Sequence, residues 1–292
     1  MAFWWVGRNL MLPLISIIIT TKNEEKNIAN CLNSILSQSY PKDKVEIMVV
    51  DNNSFDQTQA IAFRYTPKVY NIVSYGSLQN IKNYRGAQIN FGVQKSQGEI
   101  IFFPDADMTF DQDLLKEAVQ KLNQFDALYV PEIIYSSKGL FGKIRNFERS
   151  FYNGTCIDAV RFVKKRLFPK IGGFDEKSIM FGPDDWDFTK KLKRITNKIG
   201  ITKSEIYHHE EQLSVRAYLN KKRHYARTFY GYAQKWGLND KDIKRQLGFS
   251  YRYFSVFWEQ GRWKRLIKHP ILASGMYLLK FLIGLNYYLY KK

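Results

Sequence analysis

Cysteine is scarce in this sequence. Its 292 residues include two, Cys31 and Cys156, far apart and without the spacing of metal ligands. A disulfide framework and a structural zinc site are therefore not expected, and the shortage is typical of a reducing compartment. Internal repeats and low-complexity tracts are also missing. With 45% apolar residues, the chain can still bury a sizeable core, which excludes a disordered polymer.

Acidic residues are also in the minority. The chain has 27 Asp and Glu against 45 Lys and Arg, a formal net charge of +18. This excess indicates an anionic partner such as nucleic acid, an acidic membrane or a phosphorylated substrate. The basic residues concentrate in residues 216–268, where aromatic residues alternate with them and an apolar tail follows. That arrangement favours a membrane surface, so nucleic acid is not the expected partner, although composition alone leaves an anionic-lipid- or nucleic-acid-binding protein open.

A secretory signal is not recognisable. Phe3, Trp4 and Trp5 precede Arg8 and an apolar stretch, an order that lacks a charged start and a small-residue cleavage site. Any membrane attachment is therefore expected at the other end. Residues 271–290 have the ~20 residues that a bilayer span requires. Lys280 lies at their centre, and a charge there costs roughly 2.5–3.5 kcal/mol, so we expect helices lying on the cytoplasmic face of the cell membrane, with a short span as the alternative.

Three apolar runs of strand length predict a parallel sheet. They lack the alternation of half-exposed strands and lie at residues 14–20, 45–51 and 99–105. Helical patterns separate them, and Thr21 with Glu24 suggests a capping box before the first helix. Further helices are predicted at residues 57–64, 84–95 and 113–122. The chain is thus predicted to be an α/β protein, with one domain at 1–212 and a basic, apolar helical region at 213–292.

Polar residues follow the predicted strands. Thr20, Asp51 and Asp105 each stand at a carboxyl end, where ligands bind in open α/β sheets, so a nucleotide pocket is expected there. Asp107 follows Asp105 by two residues in FFPDADM (102–108). Side chains two apart in an extended segment point the same way. Both carboxylates could therefore bind one Mg²⁺ or Mn²⁺ ion.

These segments together resemble family-2 glycosyltransferases. The resemblance covers residues 14–211 and is specific because the segments occur in the family's order and spacing, although each is weak alone. The matching segments are ISIIITTKNEE (15–25), VVDNNSFDQT (49–58), YRGA (84–87), GE (98–99), DAD (105–107), GGFDE (172–176) and DDWD (184–187).

The resemblance implies a GT-A fold, a nucleotide-sugar donor such as a UDP- or GDP-sugar, and roles for matching residues. In the donor site, Asp51 would contact the base, Arg85 would line the nucleotide pocket predicted beside Thr20, and Asp105 would bind the ribose or a metal-bound water. Asp107 would be the main metal ligand.

Further roles follow from the same resemblance. Asp185 matches the catalytic base of inverting members, with Asp184 beside it. Gly173, Phe174 and Trp186 would lie on the acceptor side. A histidine after the last matched segment would add a metal ligand, and His208 is the candidate, although its neighbour His209 cannot be separated from it by sequence. Lys22 stands where many relatives have an aromatic residue that stacks on the base.

The sequence therefore predicts a metal-dependent, inverting glycosyltransferase that acts on a saccharide or lipid-linked acceptor. A metal would offset the charge that grows on the leaving diphosphate, and a carboxylate would remove the proton of an acceptor hydroxyl. A polyprenyl-phosphate glycosyltransferase is the alternative enzyme, because its acceptor is already an anion. An inactive relative is disfavoured by the presence of Asp105, Asp107 and Asp185.

Overall fold

The computed structural model describes residues 12–75, 81–135, 139–180, 182–210 and 214–289. The predictions about Phe3 to Leu10 lie outside these residues. In the described part of the chain the strands are β1 (Ile15–Thr21), β2 (Val45–Asp51), β3 (Val69–Asn71), β4 (Ile100–Phe102), β5 (Met108–Phe110), β6 (Ala127–Tyr129), β7 (Glu132–Tyr135), β8 (Val160–Lys164), β9 (Ile199–Ile201) and β10 (Ile206–His209).

Helices flank these strands and make up the C-terminal part. They are α1 (Ile28–Leu36), α2 (Thr58–Ala62), α3 (Tyr84–Lys95), α4 (Leu114–Leu122), α5 (Gly139–Arg149), α6 (Phe168–Ile171), α7 (Asp184–Lys193), α8 (Val215–Trp236), α9 (Lys241–Leu247), α10 (Val256–Trp258), α11 (Trp263–Lys268) and α12 (Pro270–Leu289). A π-helical segment, Tyr251–Ser255, precedes α10.

The main sheet has seven strands in the order β3-β2-β1-β4-β8-β6-β9, beside a smaller sheet in the order β5-β10-β7. Strands β3, β2, β1 and β4 are mutually parallel, and β8 runs antiparallel to both of its neighbours. The predicted α/β fold with a mostly parallel sheet is thus confirmed. The predicted capping box is wrong: Thr21 still belongs to β1, its hydroxyl donates to Asp51, and α1 begins seven residues later without a side-chain cap.

Strand β1 is buried on both faces, which explains its uninterrupted apolar run. Ile15, Ile17 and Ile19 pack on the side of α1 and α4. Ile18 packs on the other side, where Gly92 of α3 lies so close that a Cβ there would be 2.5 Å from Ile18. These two layers hold the carboxyl ends of β1, β2 and β4 at one edge of the sheet.

The C-terminal helices pack on the sheet-bearing part of the chain. Phe147, Phe151 and Tyr152, in and after α5, form one buried cluster with residues from the C-terminal helices, including Phe257 and Met276. Lys280 of α12 is 3% exposed. Its Nζ lies 3.0 Å from Glu148 Oε1 and donates to the Tyr152 hydroxyl at 2.9 Å. The charge that the sequence placed at the centre of a possible membrane segment is therefore neutralised inside the protein.

Within the described residues, no helix combines the length and the apolar character that crossing a membrane requires.

Candidate active site

A cleft of about 650 Å³ opens at the carboxyl ends of β1 and β4. Most of the predicted site residues line it: Thr20, Arg85, Asp105, Asp107, Asp184, Asp185 and His208. Parallel pairing explains the convergence, because Thr20 at the end of β1 bridges to Asp105 after β4. The prediction that polar residues at separate strand ends meet at one edge holds for this pair.

Arg85 joins three acidic residues at the centre of the cleft. The Asn83 side chain caps α3 by accepting from the Gly86 amide at 2.9 Å, and this places Arg85 in the first helical turn. Its Nε donates to Asp105 at 2.7 Å, and its Nη1 donates to Asp184 at 3.1 Å and to Asp185 at 3.0 Å. Its Nη2 is buried and has no partner among the described residues, so one donor remains for a bound group.

Asp105 carries a stable negative charge. Burial opposes its ionisation, but Arg85 and then Arg161 outweigh that effect and lower its pKa to about 2. Arg161 Nη1 lies 3.3 Å from the second carboxylate oxygen. Both oxygens of Asp105 are thus engaged by arginines. The two-residue spacing had predicted instead that Asp105 and Asp107 bind one cation together.

Asp107 is hydrogen-bonded to His208 instead. Asp107 Oδ2 lies 3.0 Å from His208 Nε2, and His208 Nδ1 lies 3.0 Å from Glu132. Burial lowers the pKa of His208, but the hydrogen bonds to Asp107 and Glu132 prevail and raise it to about 10. A cation that bridged Asp107 and His208 would replace this hydrogen bond. His208, and not His209, faces the cleft, since His209 pairs with Thr109 at 2.9 Å.

A divalent cation fits Asp107 and His208 only as a partial site. Asp107 Oδ1 is buried with no partner in the described chain, which leaves one oxygen for a ligand. Among the residues that the structure describes, no group of three or more His, Cys, Asp or Glu side chains is arranged to hold a metal ion. Mg²⁺ characteristically takes one or two protein ligands and completes its shell with substrate phosphates and water. The arrangement thus suits an ion that arrives with a diphosphate.

Asp184 and Asp185 begin α7, where the helix dipole favours acidic side chains. Asp184 is buried and accepts from the Gly182 amide at 2.8 Å as well as from Arg85. Burial and then the charge of Asp185 raise its pKa. Asp185 is more exposed, at 19% of its side chain, and faces the cleft. Of the two, Asp185 is the one that a molecule in the cleft can reach.

Asp51 is placed differently from the prediction. It is fully buried beneath the cleft and does not line it. Its oxygens accept from the Thr21 hydroxyl, from the amide and hydroxyl of Ser54, and from the Gln59 side chain. A direct contact with a nucleotide base would require these partners to move, so in this conformation Asp51 fixes the loop after β2.

The predicted acceptor-side residues are also placed differently. Phe174 is 3% exposed and stacks on Phe188 with ring centroids 4.4 Å apart, so it belongs to the core. Gly173 borders a separate cavity of about 1020 Å³ at the opposite edge of the sheet. That cavity is larger than the cleft, but it lacks the convergent carboxylates. Trp186 lines a chamber adjoining the cleft, and its indole donates to the Ile157 carbonyl at 2.7 Å.

Several residues in the cleft and the adjoining chamber were not predicted. Arg161 interrupts the apolar strand β8, and a lone arginine in such a run was the available signal. Lys221 and Tyr225 reach the cleft from α8, and Lys221 pairs with Glu210 at 2.9 Å. The sequence had assigned the basic residues of 216–268 to a membrane surface, because nothing in it shows which side of a helix faces a site.

Solved structures share this fold. The structure of Staphylococcus aureus TarS 1-349 in complex with UDP-GlcNAc superimposes with a TM-score of 0.56 at 20% identity, covering 87% of this chain and 79% of that one. The mannosyltransferase PcManGT from Pyrobaculum calidifontis, in complex with GDP-Man and Mn²⁺, gives a TM-score of 0.56 at 20% identity, covering 96% of this chain and 88% of that one. These likenesses show the GT-A fold.

Sequence comparison agrees with the fold. Glycosyltransferase AglE of Haloferax volcanii is 38% identical over 112 residues, which cover 38% of this chain and 36% of that protein. Poly(ribitol-phosphate) beta-N-acetylglucosaminyltransferase TarS of S. aureus is 26% identical over 209 residues, 71% of this chain and 33% of that protein. The chain thus spans about a third of the length of these curated relatives. The family model for glycosyl transferase family 2 matches residues 16–180, more than half of the chain and most of the cleft, and the protein therefore belongs to that family.

Proposed function

We propose that the protein is a metal-dependent, inverting glycosyltransferase that moves a sugar from a UDP- or GDP-sugar to a hydroxyl of a saccharide or lipid-linked acceptor. The observation that carries this proposal is the position of Asp185. It lies beside Arg85 in the cleft and also lines the adjoining chamber, so a donor in the cleft and an acceptor in the chamber would meet at its carboxylate. The names of the relatives, and the UDP-GlcNAc and GDP-Man of the solved structures, support a nucleotide-sugar donor.

Residues of the cleft would hold the donor diphosphate. Arg85 has an unpartnered Nη2, and guanidinium donors bind phosphate oxygens well. Asp107 and His208 would hold the divalent cation, Mn²⁺ or Mg²⁺. When bound, the cation would act as a Lewis acid that offsets charge on the leaving diphosphate.

Asp185 would act as the general base. It would accept the proton of the acceptor hydroxyl while that oxygen forms a bond to the anomeric carbon. The bond from that carbon to the phosphate oxygen breaks, and the nucleoside diphosphate leaves with the electron pair. Direct displacement of this kind inverts the anomeric centre. A polyprenyl-phosphate acceptor is the second candidate, and it would need no base.

The donor proposal is tested with Asp107→Asn. We expect Mn²⁺-dependent binding of UDP or GDP, whichever binds the wild type, to weaken at least about tenfold, because an amide is a poor replacement for a carboxylate metal ligand. Isothermal titration with and without Mn²⁺ measures this without any turnover. Asp43→Asn, an exposed change of the same type, is the control. Wild-type binding that is indifferent to Mn²⁺, or full affinity in Asp107→Asn, would remove the cation from this site.

We further propose that residues 213–292 form the part that associates with the membrane. The outer face of α12 carries exposed apolar side chains at helical spacing, among them Leu278 at 59% and Phe281 at 63% exposure. Ile267 of α11 is exposed nearby along the chain, between the exposed Lys264 and Lys268. An apolar stripe beside lysines suits the surface of an anionic membrane. Arg265 is not part of this surface, because it donates to Ser150 at 2.6 Å.

Flotation on vesicles tests this surface. We expect the double substitution Leu278→Glu and Phe281→Glu to release much of the protein from vesicles containing anionic lipid, because charge would replace its exposed apolar side chains. Deleting α12 is a poorer test, since Met276 and Lys280 are buried in the protein. Phe63→Glu, at another exposed aromatic residue, is the control. Equal flotation of all three proteins would show that α12 does not bind the membrane.

A further inference from the structure

A chamber of about 280 Å³ adjoins the cleft. Both are lined by Gly182, Asp185, His208, Lys221 and Tyr225, so they meet at the proposed base. The far end of the chamber is formed by α5, α8 and the π-helical segment, which contribute Arg145, Lys222 and Arg252. A molecule in the chamber would therefore have one end near Asp185 and the other among these cations.

Positive charge exceeds negative charge at this far end. Arg145, Lys222, Arg252 and Lys280 surround two carboxylates, Glu148 and Glu210, and Lys221 approaches Glu210 from the side of the cleft. Glu210 is shared by Arg145 at 2.7 Å and Lys221 at 2.9 Å, while Glu148 pairs with Lys280 at 3.0 Å. Three of the five cations thus pair with the two carboxylates, and Glu148 Oε2 has no hydrogen-bond partner among the described residues.

The remaining two cations form no ion pair with any described residue. Lys222 lies 5.2 Å from the centroid of the Tyr218 ring, and Arg145 lies over the same ring at 4.1 Å. Among the described residues, the Arg252 guanidinium makes one long hydrogen bond, to the Gln246 carbonyl at 3.4 Å, and lies 5.6 Å from the centroid of the Tyr152 ring. Unpaired cations held near one another in a chamber are expected to attract an anion.

Two further observations point to a missing ligand. Arg145 is 8% exposed, and its Nε is buried with no partner among the described residues. Burial, and next the charge of Arg145, lower the pKa of Lys222 to about 7. An anion bound beside Lys222 would oppose both effects and would also give the Arg145 donor a partner.

We propose that this far end, formed by Arg145, Lys222 and Arg252, binds a phosphate group carried by the acceptor. The inference rests on the proposed function, because it assigns the chamber to the acceptor of that reaction. A phosphate monoester or diester offers several oxygens to guanidinium and ammonium donors arranged around it. With the phosphate bound there, a hydroxyl elsewhere on the same acceptor would face Asp185. The acceptor class is thus a phosphorylated polyol or saccharide, or a phospholipid.

Binding of matched probes tests this site. The soluble pair is glycerol 3-phosphate and glycerol, and the lipid pair is dihexanoyl phosphatidic acid and dihexanoylglycerol. We expect the wild type to prefer at least one phosphorylated probe, and Lys222→Gln and Arg252→Gln each to weaken its binding by about tenfold, the loss typical of one charged hydrogen bond. Lys244→Gln, an exposed change of equal charge, should have no effect. The preferred pair distinguishes a soluble phosphate from a lipid headgroup.

Three results would overturn the proposed phosphate site. The first is that the wild type binds phosphorylated and uncharged probes equally, and the second is that both chamber variants retain full phosphate binding. The third result is that Lys244→Gln loses as much phosphate affinity as the chamber variants, which would indicate general charge attraction. Mn²⁺-dependent binding of UDP or GDP is measured on every variant. If the wild type binds phosphate but no nucleotide, the proposed donor chemistry fails while the anion site remains. If the wild type binds nucleotide but no phosphorylated probe, the proposed phosphate site is wrong and the donor proposal stands.

Discussion

Asp185→Asn is expected to bind nucleotide normally and to lose transfer by a factor on the order of 10²–10⁴, the range typical of general-base catalysis. The amide keeps the shape of the side chain, and its oxygen can still accept the 3.0 Å hydrogen bond from Arg85. What is lost is the ability to take a proton from an acceptor hydroxyl. Steady-state rates with a saturating donor, together with a separate titration of nucleotide, distinguish this loss from a loss of binding.

Asp184→Asn is the matched control, since both residues contact Arg85 Nη1. Asp184 is 3% exposed, so we expect its substitution to change stability more than the rate of transfer. An inactive Asp184→Asn beside a fully active Asp185→Asn would show that the base was assigned to the wrong carboxylate. Activity in both variants would favour an acceptor whose nucleophile is itself a phosphate oxygen, because such an acceptor has no proton to lose at neutral pH.

The sequence predicted local structure well where local rules determine it. Helix α3 begins and ends where predicted, because Asn83 caps its start and the apolar run of the next strand follows it. The capping box at Thr21 failed because a tertiary contact prevailed: the strand continues through Thr21, and its hydroxyl is used by Asp51. A local pattern cannot show that a distant carboxylate claims the same side chain.

Resemblance located the cleft but not the orientation of each side chain. Arg85, Asp105 and Asp185 meet as expected, because they stand at the ends of elements that the fold brings to one edge. Whether a matched residue faces the cleft depends on the residues around it. Phe174, which the resemblance placed on the acceptor side, fills the core against Phe188. Lys280 illustrates the same limit, since its partner Glu148 lies in a distant helix and its charge had suggested only a cost to membrane insertion.

Arg85→Met is expected to destabilise the protein by about 3 kcal/mol and to abolish nucleotide binding. Methionine preserves most of the apolar stem but leaves Asp105, Asp184 and Asp185 without their shared cation. Removing one partner of a buried ion pair costs roughly 3–5 kcal/mol, and Arg161 still offsets part of the charge of Asp105. Denaturant unfolding at pH 7 measures the loss. Arg85→Lys should recover only part of it, because an ammonium lacks the planar fork that reaches several carboxylates.

The stability deficit of Arg85→Met should depend on pH. In the wild type, Asp105 has a pKa of about 2, below its ordinary 3.8, so its contribution to stability is present above pH 3.8 and is lost as the pH falls towards 2. Without Arg85 the carboxylates should take up protons at higher pH in the folded state, so the deficit of Arg85→Met should shrink between pH 7 and pH 4. Adding Asp184→Asn to Arg85→Met removes one uncompensated charge and should restore part of the lost stability at pH 7. A deficit that is independent of pH and unaffected by that second substitution would mean that Arg85 stabilises the fold by packing, and that the three carboxylates do not depend on its charge.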